Sequence, residues 1–300
     1  MNPAAHFYST SNLEPSELAI PINSLVFHGN PIDDRGRLAI QLNNAESHHR
    51  ILVSYDVETM AVKIGEKSVS ADSCEILIQE HLDDRPIVLE ATTLGFAELF
   101  CIVRALIALG IKVFTTIYVE PANYTKPVGG NSFALSELIA DYRPIPHSIV
   151  DLASDEVSAG VFFLGYEPER MARALEEFQM ISSKEIKVVF GVPAFRAGWE
   201  LNAIVPHLSI LSEQGSIDVA YCSANEPGSA FDCLEKTRLS LSAGDKMFIA
   251  PIGTKPCGIA TAVFCSLYPS ETGIIYDHPK RKSKRSSGVN LWHKYSVNIG

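Results

Sequence analysis

The chain lacks any uninterrupted apolar run of about 18 residues, which is the minimum that crosses a bilayer as a helix. Its best candidate, residues 94–110, is broken by Glu98 and Arg104. The first 20 residues also lack a basic start followed by an apolar block, the pattern of a secretory signal. We therefore expect a cytoplasmic protein that does not cross a membrane.

Metal-binding and disulfide patterns are absent as well. The six cysteines form no CxxC pair, and the nine histidines are not arranged as HExxH or at a Cys/His metal spacing. Zinc sites depend on such spacings. The sequence therefore assigns no metal, leaves the cofactor unknown, and fits a compartment in which thiols stay reduced.

Acidic residues disappear after Asp277, although the chain as a whole has a formal charge of −10. The basic tail that follows includes Lys284 and Arg285. Such a tail binds phosphates of a nucleotide or a nucleic acid, pairs with an acidic surface on its own protein or a partner, or remains a solvated loop. The sequence leaves these alternatives open.

The first part of the chain is rich in short β-prone segments, at residues 24–27, 37–42, 50–55 and 61–64, separated by turn-like patches. This pattern predicts a small antiparallel β unit. Charged residues followed by Pro86 suggest a boundary near Arg85. We therefore expect two domains, residues 1–85 and residues 86–300.

From Pro86 onward, apolar strands alternate with helices. The helices are predicted at residues 94–109, 132–141, 168–179, 198–213, 228–241 and 256–267. Six such alternations predict an α/β fold of the Rossmann-like, doubly wound type, with one mainly parallel sheet. Ligands of these folds bind outside the carboxyl ends of the strands, so the residues that follow each strand are the candidate site.

One strand-to-helix junction, Gly253-Thr254-Lys255, stands out. Gly253 allows a tight turn, Thr254 is a helix-capping residue, and Lys255 adds a cation at the positive end of the helix. The junction is neither a Walker A loop nor a GxGxxG turn. It predicts an anion site, with an ordinary capped connection as the alternative.

A strand followed by Gly-Thr-Lys and a small-residue helix resembles the CARF family, Rossmann-like domains that sense cyclic oligoadenylates in antiviral systems. The resemblance spans about residues 86–276. The family often has another glycine where this chain has Ile252, and no nuclease motif follows. The resemblance implies a symmetric dimer that binds a nucleotide-like ligand near its dyad, with Gly253, Thr254 and Lys255 contacting it.

A second junction contains Phe195, Arg196 and Trp199. Its aromatic rings are able to stack on a base, and its arginine is able to bind phosphate; packing of the rings at the turn is the alternative. With the strand ends and the tail included, the predicted ligand-binding residues are Thr92, Thr93, Glu120, Arg196, Trp199, Gly253, Thr254, Lys255, Lys284 and Arg285.

Candidate catalysts are fewer. Glu90 and Glu120 follow or end two predicted strands, where carboxylates act as acid and base or bind ribose hydroxyls. Cys257 lies in the first turn of a predicted helix, which stabilises a thiolate. Carboxylates at strand ends are also often simply solvated or salt-bridged, which is the alternative for the two glutamates. No histidine is placed near Cys257 by sequence, and a small buried residue is the alternative for it.

The helix at residues 94–109 is apolar on several faces, which predicts burial on more than one side, either inside the domain or in a homodimer interface. Three functions remain in competition. They are a nucleotide-binding sensor or regulatory subunit of a bacterial defence system, an enzyme that processes a nucleotide or nucleic-acid derivative, and an interaction subunit whose tail docks on nucleic acid or an acidic partner protein. The Gly-Thr-Lys junction favours the first.

Overall fold

The computed structural model describes residues 4–42, 48–126, 133–138, 141–213 and 217–300. The chain forms two compact units, and its two ends belong to the same one. Unit 1 consists of Met1–Thr125 and Lys282–Gly300, and unit 2 is Lys126–Arg281. The chain is thus divided after Thr125 and after Arg281, whereas the expected boundary lay near Arg85. No helix among the described residues is long and apolar enough to cross a membrane.

The structure is an α/β fold, as the alternation predicts. The strands are β1 (Ala5–Asn12), β2 (Leu25–His28), β3 (His49–Asp56), β4 (Ala61–Ile64), β5 (Lys67–Ser70), β6 (Ile87–Glu90), β7 (Val113–Tyr124), β8 (Ser136–Leu138), β9 (Val157–Leu164), β10 (Glu185–Gly191), β11 (Ile217–Cys222), β12 (Lys246–Pro251), β13 (Thr272–Ile274), β14 (Lys280–Arg281) and β15 (Ser286–Ile299). The α-helices are α1 (Asp34–Leu42), α2 (Cys74–His81), α3 (Phe96–Ala108), α4 (Pro168–Glu177), α5 (Glu200–Glu213), α6 (Pro227–Ser240) and α7 (Lys255–Leu267).

Unit 1 contains an eight-stranded mixed sheet in the order β1-β15-β7-β6-β2-β3-β4-β5. Its centre, β7-β6-β2-β3, is parallel, and both margins are antiparallel. Leu25, Val26 and Phe27 of β2 are fully buried, as expected for a central parallel strand. On one face, Val26, Ala39 and Trp292 belong to the same hydrophobic cluster, so α1 packs against this face of the sheet, to which β15, the last strand of the chain, itself belongs.

Two predictions about this region are wrong. Residues 37–42 form part of α1 rather than a strand, and β2 pairs with β3 in parallel, so the early segments are not a separate antiparallel unit. Helix α1 begins there because the Asp33 carboxylate accepts a hydrogen bond from the Gly36 backbone N–H at 3.0 Å, which is the geometry of an N-cap. The acidic pair at residues 33–34 is therefore a helix start.

Unit 2 contains a five-stranded, entirely parallel sheet in the order β11-β10-β9-β12-β13. Right-handed connections place α4 and α5 on one face and α6 and α7 on the other; α4 contacts α5, and α6 contacts α7. The prediction of one sheet across residues 86–276 is wrong, because β6 and β7 belong to the sheet of unit 1. The helix predicted at residues 132–141 falls partly outside the described residues, and strand β8 occupies Ser136–Leu138.

Helix α3 is largely covered by its own chain. Leu99, Phe100, Ile102, Val103 and Leu106 are almost entirely buried within the single chain. Burial on several faces is therefore confirmed, but the apolar surface of this helix does not require a partner. The homodimer stays a prediction that light scattering is suited to test.

Candidate functional site

The carboxyl edge of the five-stranded sheet has a point where the strand order reverses. From β9 the chain proceeds to β10 on one side, whereas β12 pairs with β9 on the other side. In open α/β sheets, ligands bind in the crevice at such a reversal. The Gly253-Thr254-Lys255 junction follows β12 directly, so it lies at this point.

Two glycines allow the loops after β9 and β12 to approach each other. A Cβ atom on Gly165 would lie 2.9 Å from the Ile252 carbonyl oxygen, and one on Gly253 would lie 3.2 Å from the Leu164 carbonyl oxygen. Both are tight contacts with backbone, which is unable to move aside as a flexible side chain does. Glycine at these positions thus serves the close approach of two backbone segments.

Thr254 does not cap α7 with its side chain, contrary to expectation. The residue occupies the N-cap position with extended backbone, but its hydroxyl donates to the Ala224 carbonyl oxygen at 2.8 Å. This bond ties the junction to the loop after β11. The Thr254 hydroxyl therefore accepts no hydrogen bond from the first turn of α7. Lys255, which is half-buried, is the first residue of that helix, and Pro256 after it has no N–H group.

A buried ion pair positions the same junction. The Arg170 guanidinium on α4 donates to both carboxylate oxygens of Asp277, and its Nη1 also donates to the Ile252 carbonyl oxygen at 3.2 Å. Both side chains are buried. Although burial opposes the charged form, the Asp277 carboxylate holds the pKa of Arg170 above its usual range, so the guanidinium remains charged.

Beside the reversal, the same edge holds an aromatic cluster, which we define as Phe133, Tyr166 and Trp199. The ring of Phe133 meets Tyr166 and Trp199 edge-on, with centroids 4.9 and 5.3 Å away. Two cations flank it: Lys126 Nζ lies 5.1 Å from the Phe133 centroid, and Arg196 Cζ lies 5.6 Å from the Trp199 ring. Trp199 is half-buried and Arg196 is exposed.

Cys257 lies in the first turn of α7, where its sulfur is 3.8 Å from Cys222 Sγ and 3.2 Å from the Thr254 hydroxyl. The hydrogen bond from Cys222 and those from Thr254 lower the pKa of Cys257, while the pKa of Cys222 is raised. Both thiols are buried. The neighbour of the Cys257 thiol is therefore a second cysteine.

The predicted residues after β6 build a loop in unit 1. Both oxygens of the buried Glu90 carboxylate accept backbone N–H groups, from Thr92 at 3.0 Å and Thr93 at 2.9 Å. The Thr93 hydroxyl accepts from Gly29 N–H, and that of Thr92 accepts from Val119 N–H. Glu90 thus holds its own loop, which does not suit it as a general acid or base.

Glu120 lies within β7 and not beyond its end, because β7 continues to Tyr124 beside β15. The side chain is fully buried. Its two oxygens accept hydrogen bonds from Asn290 Nδ2 at 2.6 Å and His293 Nε2 at 3.0 Å. The partners of this carboxylate thus lie 170 and 173 positions away in sequence. The sequence around Glu120 does not predict these contacts.

The basic tail is divided between the units. Lys280 and Arg281 form β14, which pairs with β8 in unit 2, whereas Lys284 and Arg285 belong to unit 1. Lys284 is exposed. Arg285 Nε lies 3.8 Å from the Asp33 carboxylate, which also accepts from Arg35 Nη2 at 2.9 Å.

The Asp33 carboxyl is expected to make the stability of unit 1 depend on pH. Burial opposes its charged form, but the Arg35 charge and hydrogen bonds from Gly36 and Ser286 prevail and lower its pKa from 3.8 to about 2. A carboxyl whose pKa falls on folding stabilises the fold above its unfolded pKa and loses that contribution as the pH falls to its folded pKa. We expect a loss of about 2 kcal/mol between roughly pH 5 and pH 2.

Urea unfolding followed by Trp292 fluorescence in a Trp199→Phe background measures this loss, because Trp292 is then the sole tryptophan and lies in unit 1. The matched variant carries Asp33→Asn in the same background and is expected to lose this part of the pH dependence. If the free energy of unfolding of that variant depended on pH as strongly as before, the role assigned to Asp33 would be contradicted.

The predicted ligand-binding residues therefore form two groups. Thr92, Thr93, Glu120, Lys284 and Arg285 belong to unit 1, and Arg196, Trp199, Gly253, Thr254 and Lys255 belong to unit 2. The described residues include no cluster of three or more His, Cys, Asp or Glu that would hold a metal ion. A search of protein-family models and of curated proteins finds no match to this chain.

Tyr166 is among the residues that follow a predicted strand and so belongs to the predicted candidate site, but sequence reasoning missed three others that build the edge of unit 2, namely Phe133, Arg170 and Asp277. One signal was available, since Asp277 is the last acidic residue before the basic tail. Its partner lies 107 positions earlier, and nothing in the local pattern of α4 distinguishes Arg170 from its neighbours Arg173 and Glu169.

Proposed function

We propose that unit 2 binds a nucleotide-like anionic ligand at the carboxyl edge of its sheet, and that the protein is a nucleotide sensor or regulatory subunit. The observation that carries this proposal is the position of Gly253-Thr254-Lys255 at the reversal of strand order. In chain order, the strands of unit 2 are arranged 3-2-1-4-5. That order is the first part of the Rossmann-type dinucleotide-binding sheet.

The start of α7 suits a phosphate group. A helix N-terminus carries a partial positive charge, and its first N–H groups have no partner inside the helix. Lys255 adds a full charge there, and the Thr254 side chain donates elsewhere. The protein as a whole has a formal charge of −10, so an anion requires a local positive site of this kind.

The aromatic cluster suits a base. It includes residues that follow β9 and β10, whereas the Gly-Thr-Lys junction follows β12. Neighbouring strands are about 4.8 Å apart, so the ends of β10 and β12 are separated by about 10 Å. That span is similar to the distance between the base and the phosphates of a nucleotide, and the half-buried Trp199 with Arg196 offers the stacking surface.

The CARF resemblance extends this proposal to a symmetric homodimer, to cyclic oligoadenylates as ligands and to a role in antiviral defence inside the cytoplasm. It rests on the Gly-Thr-Lys junction, which lies in unit 2. The tail residues Lys284 and Arg285 lie in unit 1, and the ligand site proposed here does not depend on them.

Replacement of Lys255 by alanine is expected to weaken nucleotide binding tenfold to a hundredfold at low salt. A lost charge-assisted contact costs about 1.5–3 kcal/mol, and salt screens it. Calorimetric titration with mono-, di- and cyclic nucleotides measures the change. The matched control is Lys246→Ala, which removes the same charge at the opposite end of β12, where Lys246 forms an exposed pair with Glu156.

Three outcomes decide the proposal. Binding that is lost with Lys255→Ala and retained with Lys246→Ala supports it. Failure of every nucleotide to bind the unmodified protein, or equal losses in both variants, refutes it. Chromatography of the ligand after incubation separates the functions, because a sensor returns its ligand intact and an enzyme consumes it.

A further inference from the structure

A chain of hydrogen bonds crosses three neighbouring strands of unit 1. Ser11 on β1 and His293 on β15 are register partners, and the Ser11 hydroxyl lies 2.8 Å from His293 Nδ1. His293 Nε2 lies 3.0 Å from a carboxylate oxygen of Glu120 on β7. His293 and Glu120 are fully buried, whereas Ser11 is exposed. These hydrogen bonds thus connect the buried Glu120 carboxylate to the Ser11 hydroxyl at the protein surface.

The imidazole at its centre is held from several directions. The rings of Tyr118 and Tyr295 stack on it, with centroids 6.0 and 5.9 Å away and planes inclined by only 15° and 7°. Asn290 donates to the second oxygen of Glu120 at 2.6 Å. Because a carboxylate only accepts, Nε2 carries the proton toward Glu120, and the lone pair of Nδ1 faces the Ser11 hydroxyl.

We propose that Ser11 is a nucleophile activated by His293, with Glu120 as the positioning carboxylate, and that it accepts acyl groups from ester substrates. A hydroxyl is a weak nucleophile unless an oriented base takes its proton, and this order of serine, histidine and carboxylate is the arrangement that activates it. In the reaction, Ser11 Oγ bonds to the carbonyl carbon while its proton passes to Nδ1. The bond to the leaving alcohol breaks, the alcohol takes that proton, and water later hydrolyses the acyl-serine.

The network is open to solvent at one end, and that end is the Ser11 hydroxyl. Asn290 and His293 already give Glu120 two hydrogen-bond partners. Ser11, by contrast, is open to solvent on β1, which is the last strand at its end of the eight-stranded sheet. An exposed hydroxyl needs no protein partner, yet this one is directed at the buried imidazole and remains accessible to a substrate.

A fluorophosphonate probe tests the nucleophile directly. Ser11 Oγ would bond to phosphorus as fluoride leaves, and mass spectrometry of the digested protein locates the adduct. We expect labelling at Ser11 in the unmodified protein and none there in Ser11→Ala. Ser9→Ala is the matched control, because Ser9 has Tyr295 as its register partner, and it should label as the unmodified protein does. Ser11→Ala alters an exposed side chain, so it is expected to fold.

The role of Glu120 is tested by hydrolysis of p-nitrophenyl acetate. Glu120→Gln should lower kcat by about a hundredfold or more, as loss of general-base assistance does, with KM little changed, and Glu120→Asp should recover part of the rate. Circular dichroism checks that each variant is folded. Absence of any adduct on Ser11, or equal labelling rates in folded Glu120→Gln and unmodified protein, would overturn the proposal and leave the three residues as a structural contact.

Discussion

Replacing Asp277 with alanine will lower the free energy of unfolding of unit 2 by about 3–5 kcal/mol. The substitution leaves the buried Arg170 guanidinium without its carboxylate partner, and an uncompensated buried charge costs far more than the pair itself contributes. Arg170 also donates to the Ile252 carbonyl oxygen. The substitution should therefore also disturb the Gly253-Thr254-Lys255 junction, which follows Ile252, and weaken nucleotide binding.

Each unit contains one of the two tryptophans, Trp199 in unit 2 and Trp292 in unit 1. Chemical unfolding in a Trp292→Phe background therefore reports on unit 2 alone. Asp141→Ala is the matched control, since Asp141 forms an exposed pair with Arg173 of the same helix α4, and exposed pairs contribute about 0–1 kcal/mol. Equal losses of unfolding free energy from Asp277→Ala and Asp141→Ala would show that burial does not set the strength of the Arg170–Asp277 pair.

Asp33→Ala will have an effect of similar size in unit 1, about 3–5 kcal/mol. Its carboxylate pairs with the buried Arg35 guanidinium at 2.9 Å, accepts the Ser286 hydroxyl at 2.8 Å, and caps α1 through the Gly36 N–H. Arg35 in turn donates to the Val119 carbonyl oxygen. The substitution thus removes a helix cap and leaves a buried cation that links α1 to β7.

The neighbouring residue supplies the control for this prediction. Asp34 forms an exposed pair with Arg37 on the same helix, so Asp34→Ala should cost at most about 1 kcal/mol. Unfolding is followed by Trp292 fluorescence in a Trp199→Phe background. A cost for Asp33→Ala no greater than that for Asp34→Ala would mean that Arg35 finds another partner, and the linkage of α1 to β7 would have to be reconsidered.

The α/β class, most strands and helices, and the place of the Gly-Thr-Lys junction were determined by the sequence itself. Predicted helices at residues 168–179, 228–241 and 256–267 correspond closely to α4, α6 and α7. These features are local: hydrophobic period, turn residues and the switch from strand to helix all occur within about 15 residues. The failure at residues 37–42 is also local, because a cap at Asp33 outweighs a short β-prone run.

Only the tertiary structure decided which sheet each strand joins. β6 and β7 resemble the strands of unit 2 in sequence, yet they pair with β2 and with β15 from the far end of the chain. Backbone hydrogen bonds between strands do not depend on residue type, so a strand's own sequence does not identify its neighbour. For the same reason, the sequence does not predict the contacts of Glu120 with His293 and of Arg170 with Asp277, which join positions 173 and 107 residues apart. Their side chains meet only because sheet pairing and helix packing bring distant segments together.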